Sequence, residues 1–93
     1  MDEETKEILI ILQEECAEVI QSISKCYRFG PDQMKLDSDT TNMQSVQKEL
    51  GDVLAMIELL TEKKIGVTIE GLENNKKLKF EKLKRFSNIT INK

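Results

Sequence analysis

Apolar residues recur at helical spacing along two long stretches of this chain and one weaker one. Between about residues 4 and 28, Ile8, Leu9, Leu12, Cys16, Val19, Ile20 and Ile23 follow the 3.6-residue period, and Gly30 and Pro31 mark the end of a first helix. Residues 31–42, PDQMKLDSDTTN, keep no consistent period and read as a connecting loop, long enough for a lid. Thr40, Thr41 or Asn42 can cap a second helix. That helix is predicted over about 43–63 from Met43, Val46, Leu50, Val53, Leu54, Ile57 and Leu60, with Gly66 beyond its end. A third, over about 69–86, carries Ile69, Leu72, Phe80, Leu83 and Phe86 among many lysines, and the last seven residues are expected to fray. The predicted fold is all-α, an antiparallel bundle of three to four helices.

Composition sharpens this picture. Four glycines and one proline are too few for the turns of a small sandwich or barrel. Ninety-three residues make one domain, 1–93. Only 39% of them are hydrophobic and none is Trp, so a lone subunit owns a thin core. A homo-oligomer, dimer or tetramer, is expected to complete the bundle. No stretch approaches the roughly 18 apolar residues of a membrane span, and the acidic start MDEETKE is the opposite of a basic leader, so a cytoplasmic protein without a membrane partner is expected. Cys16 and Cys26 lie about 15 Å apart on one helix and read as reduced core thiols. Residues 1–20 hold seven acids and one base, residues 76–93 seven bases and one acid. The net charge of −3, with the aromatic residues of the basic end on its apolar face, speaks against a nucleic-acid polymer as partner. Histidine is absent, which removes the usual general base and every Cys/His zinc pattern.

The chemistry must therefore run on carboxylates and cations. Turning each residue about 100° around its helix places Glu15 between Ile8 and Ile11 and Glu18 beside Ile11. The second helix repeats the arrangement: Glu49 projects between Met56 and Leu60, Asp52 between Met56 and Leu59. Two i, i+3 acid pairs on two apolar faces are costly to bury unpaired, and a divalent cation removes the cost. Oxygen-only ligands favour a hard ion, Mg²⁺ with Mn²⁺ as substitute. The plain alternative is that these acids pair with lysines of the third helix or of another subunit.

The segments LQEECAEVIQ and KELGDVLAMIELL resemble the MazG-like, all-α nucleoside triphosphate pyrophosphohydrolases, whose signature is E-E-x-x-E followed by E-x-x-D. Those positions are Glu14, Glu15, Glu18, Glu49 and Asp52. The resemblance runs from about Leu9 to Phe86, because KFEKLKRF at 79–86 is similar to a basic stretch in the family's next helix. The two acidic motifs stand somewhat far apart for the family, and Leu83 replaces a second basic residue. The resemblance implies hydrolysis of a (deoxy)nucleoside triphosphate to monophosphate and pyrophosphate, with Mg²⁺ held by Glu15, Glu18, Glu49 and Asp52 activating water for attack at the α-phosphate. Glu14 would bind a further ion or orient that water, as a second catalytic acid beside Glu15.

A departing pyrophosphate calls for cations. Lys76 and Lys79 interrupt the apolar arc of the third helix, Lys82 flanks it, and Lys25 and Arg28 lie near the end of the first helix; these are the candidate substrate-binding residues. Each is also readable as a surface cation lying over apolar neighbours, and for Lys25, Lys82 and Arg28 that is the ordinary reading. No glycine-rich phosphate loop is present. Stacking on a base would fall to Tyr27 or Phe29, for which a core role is the ordinary reading. Two other classes compete with the enzyme: a helical interaction or regulatory module, and a nucleotide sensor that has kept the metal site but lost turnover.

Overall fold

The computed structural model describes residues 1–93 and contains three helices: α1 (Glu3–Phe29), α2 (Asn42–Glu62) and α3 (Ile69–Phe86). The chain divides into two compact units, Met1–Lys63 and Lys64–Lys93. The first is an antiparallel pair. Its fold depends on how the ends of α1 and α2 are tied.

Asp2 caps α1 by accepting the Thr5 N–H at 2.6 Å, and this hydrogen bond holds the Asp2 carboxyl below its ordinary range. At the other end Gly30 closes the helix at φ +99°, a conformation open to glycine, while its N–H still reaches the Cys26 carbonyl. The loop beyond Gly30 is a small hairpin. Met34 and Thr41 form an antiparallel bridge, Lys35 N–H donates to the Thr40 carbonyl, and Ser38 N–H to the Lys35 carbonyl. Asp37 takes the left-handed conformation at the tip, φ 56°, which its short polar side chain tolerates.

That loop also caps α2. The first N–H groups of a helix lack partners within it. Here Asn42 N–H donates to Gln33 O, Met43 N–H to Pro31 O, and Gln44 N–H to Thr41 Oγ1, while Gln44 Oε1 accepts the Thr41 N–H to complete a capping box. Asn42 turns its amide back to the Gly30 carbonyl at 3.0 Å, and it is buried. At the far end Lys63 reaches Glu4 at 3.1 Å and Asp2 at 3.7 Å.

Between these ties the core is as thin as composition implies. The buried apolar side chains are Ile8, Val46 and Leu60, joined by Thr5, Ser22, Asn42 and Ser45. Several positions expected inside are on the surface: Ile20, Ile23, Met43, Leu50 and Leu54 are exposed, and Cys16 is exposed rather than a core thiol, with Cys26 half-buried. One apolar stripe of each helix finds its partner within the pair, and the remainder of the wide apolar faces does not. The second unit is α3, capped by Thr68 on the Gly71 N–H, with none of its own residues buried. Residues 87–93 are irregular but not loose ends: Ser87 bonds the Leu83 carbonyl, and the Lys93 ammonium lies 5.2 Å from the Phe80 ring centre. No helix is long and apolar enough to cross a membrane.

Two stability outcomes are expected. Thr41→Ala removes half of the capping box and should cost about 1 kcal/mol, read as a lower urea midpoint at unchanged slope. The Thr5 hydroxyl is buried without a partner, so Thr5→Val should hold or raise stability. A loss above about 1 kcal/mol in that variant would mean the hydroxyl is satisfied in solution.

Candidate metal centre

Antiparallel packing sets the middle of α1 against the middle of α2, and the residues that meet there are acids. Glu15 comes from α1, Glu49 and Asp52 from adjacent turns of α2, and one carboxylate oxygen of each lies within 4.8 Å of the others. All three residues are half-buried at the helix seam. Three oxygens this close suit a small hard cation better than they suit one another.

Electrostatics report the same crowding. Partial burial raises the Glu15 pKa first, and the charges of Asp52 and Glu49 raise it further, with Lys48 pulling the other way. Lys48 is the counter-ion of the group: its ammonium lies 2.8 Å from Asp52 Oδ2 and 3.7 Å from Glu49 Oε1. Those carboxylates hold the Lys48 pKa above its ordinary value, the hydrogen bond to Asp52 contributing most. A positive charge therefore already stands beside the acids. Oxygen-only donors converging from two helices fit a hard divalent cation.

The structure gathers Glu15, Glu49 and Asp52, as the helical spacing predicts, but it does not gather all the acids. Glu18 is exposed and lies outside the trio, contrary to the expectation that it faces the buried side; a turn beyond Glu15, it has left the seam. Glu14 is exposed and also lies outside the trio.

Lys25 is half-buried and, with Phe29, Met34, Leu36 and Asn42, lines a recess of about 420 Å³ under the hairpin. Arg28 is exposed, its guanidinium 5.0 Å from the Phe29 ring centre. Neither Tyr27, 88% exposed, nor Phe29, 53% exposed, takes the core role that is ordinary for such residues. Lys76, Lys79 and Lys82 are exposed on α3 in the second unit, where Lys76 pairs with Glu73 at 2.9 Å. Sequence reasoning overlooks Lys48. Its signal was its place four residues before Asp52 on one helix, the spacing at which a lysine and an acid meet.

The raised Glu15 pKa has a sign that can be checked without metal. Above the ordinary carboxylate pKa of about 4.3 the folded chain holds the Glu15 proton more tightly than the unfolded chain, so stability falls as pH rises through that window. In chelator, Glu15→Gln should therefore melt higher than the parent at neutral pH, with the gap closing below about pH 4. A gap that ignores pH would contradict the crowding of the three acids.

No curated protein and no solved structure matches this chain significantly. The family model of the MazG nucleotide pyrophosphohydrolase domain matches residues 3–85, which include α1, the hairpin, α2 and nearly all of α3. With that match over most of its length, the chain belongs to the MazG nucleotide pyrophosphohydrolase family.

Proposed function

We propose that this chain is an Mg²⁺-dependent hydrolase, acting as one domain, that splits nucleoside or deoxynucleoside triphosphates into the monophosphate and pyrophosphate. The observation that carries the proposal is the convergence of Glu15, Glu49 and Asp52 within 4.8 Å, in a chain of this family. These residues would hold the divalent ion; Glu18, on the same helix as Glu15 but outside the trio, would be a further ligand only if its side chain turned toward them. The ion supplies charge neutralisation for the phosphates and activation of the attacking water.

The chain's own residues do the rest. Glu15 would take a proton from a water aimed at the α-phosphate, and Glu14, exposed on α1, would orient that water or bind a further ion. Lys48 now pairs with Glu49 and Asp52; were those carboxylates to hold a divalent ion, its ammonium would be free to neutralise the substrate's phosphates. Lys25, Arg28, Lys76, Lys79 and Lys82 are further candidates to neutralise the phosphate chain.

A second copy of the chain covers the exposed apolar side chains Ile20, Ile23, Met43, Leu50 and Leu54, making a homo-oligomer, dimer or tetramer, in the reducing cytoplasm where Cys16 and Cys26 stay free.

The test is a panel of ribo- and deoxyribonucleoside triphosphates with Mg²⁺, Mn²⁺ or chelator, scoring pyrophosphate and orthophosphate separately. Pyrophosphate should appear only with metal. Glu49→Gln and Asp52→Asn should lower kcat/KM by about 100-fold or more, roughly 2.7 kcal/mol, with helical content by circular dichroism unchanged. Silence across the panel would overturn the enzyme reading. Metal-dependent melting would then mark a nucleotide sensor, and its absence an interaction module.

A further inference from the structure

Beside the acid trio, on the α2 side of the hairpin, lies a second recess of about 470 Å³. That is within the roughly 300–1,000 Å³ of small-molecule sites. Glu49 forms one end of it. The remaining lining residues are Lys35, Lys48, Ser38, Thr40 and Ser45, with Leu36 as the apolar one. The recess thus joins the candidate metal centre to the hairpin through a shared side chain, and beyond Glu49 its polar walls are donors.

Three details make it a site for an anion rather than a patch of solvated surface. Lys35 takes part in none of the chain's ion pairs, so its charge is available. Ser38 Oγ already accepts the Thr40 N–H at 3.0 Å, which leaves its proton for an incoming oxygen. Lys35 is fixed at its backbone by the hydrogen bond to Thr40 O and by the Met34–Thr41 bridge, so the hairpin carries it on a braced rung rather than a free loop. The opposite wall is helical, with Ser45 buried and Lys48 one turn further along. Two lysines and three hydroxyl-bearing residues around a recess, with no aromatic ring among them, suit the oxygens of a phosphate chain better than a base.

We propose that this recess is the subsite for the pyrophosphate end of the substrate, with Lys35 and Lys48 as its positioning cations. The inference rests on the pyrophosphohydrolase reading and adds to it where the leaving group goes. Hydrolysis breaks the bond between the α-phosphorus and the bridging oxygen. That oxygen leaves with its electron pair on the β-phosphate, while the water's oxygen stays on the monophosphate and its protons pass to the acids and solvent. The new charge on pyrophosphate then arises beside Lys48 and Lys35. Of the two cations in the recess, the hairpin contributes Lys35 and α2 contributes Lys48.

Lys35→Gln is the cleaner variant, because Lys48 also neutralises the acids. Calorimetry with inorganic pyrophosphate and Mg²⁺, together with steady-state kinetics, reads the outcome. Lys35→Gln should weaken pyrophosphate binding by about tenfold, a loss of about 1.4 kcal/mol, and the double variant with Lys48→Gln by more. Product inhibition by pyrophosphate should weaken in parallel, affinity for the nucleoside monophosphate should change little, and Lys35→Arg should restore most of the loss. Lys6→Gln, a surface change, serves as control. Pyrophosphate binding unchanged in both Lys35→Gln and the double variant, in an enzyme that still turns over, would overturn the subsite and leave the function standing. Lysine-dependent pyrophosphate binding in a chain that hydrolyses nothing would sustain the subsite and sink the function.

Discussion

The register of α1 against α2 is the constraint on which everything else rests. It is pinned at both ends by polar contacts rather than by a large core. At the hairpin, Asn42 reaches Gly30 and the first N–H groups of α2 are satisfied by Pro31, Gln33 and Thr41. At the other end Lys63 spans Glu4 and Asp2. A slip of one residue along the seam would rotate Glu15 away from Glu49 and Asp52 by about 100°. The hairpin pin has a second role, because it also answers helix-terminal groups that would otherwise lack partners.

What the pins hold in place is unfavourable by itself. Three carboxylates share a half-buried seam, and one lysine offsets only part of their repulsion. The unit tolerates this with three buried apolar side chains and an exposed apolar face, so its stability in isolation is narrow. Such sites are common where chemistry needs charge: the fold accepts a local cost that a bound cation removes. Of the four buried polar residues, only Asn42 is one of the side-chain ties.

Much of this was legible in the residues. Helix boundaries came from the period of the apolar positions and from Gly30, Pro31 and Gly66, and Glu15, Glu49 and Asp52 stood out because acids interrupted apolar arcs. Glu18 misled because a wheel drawn on one helix shows which side a residue faces and not where its partner helix ends its contact. Cys16, Ile20 and Ile23 misled for a related reason, since an apolar position can belong to a face that this pair leaves uncovered. The hairpin was opaque. Its bridge depends on main-chain groups and on a left-handed aspartate, neither of which has a period, so Lys35 had no signal at all.

The two pins also differ in how far they reach along the chain. Asn42 and Gly30 are 12 residues apart, Lys63 and Glu4 are 59. Closing the longer loop from an open chain costs roughly 1.4 kcal/mol more in entropy, whereas a pair that starts at the hairpin adds each turn through a short closure. Folding is then expected to zip from the hairpin outward, and the acids meet only after the turns between them and the loop have docked. Their repulsion is then felt on the native side of the barrier, where it weighs on the unfolding rate and hardly on the folding rate. A site assembled this late spares the search for the fold from its own charge.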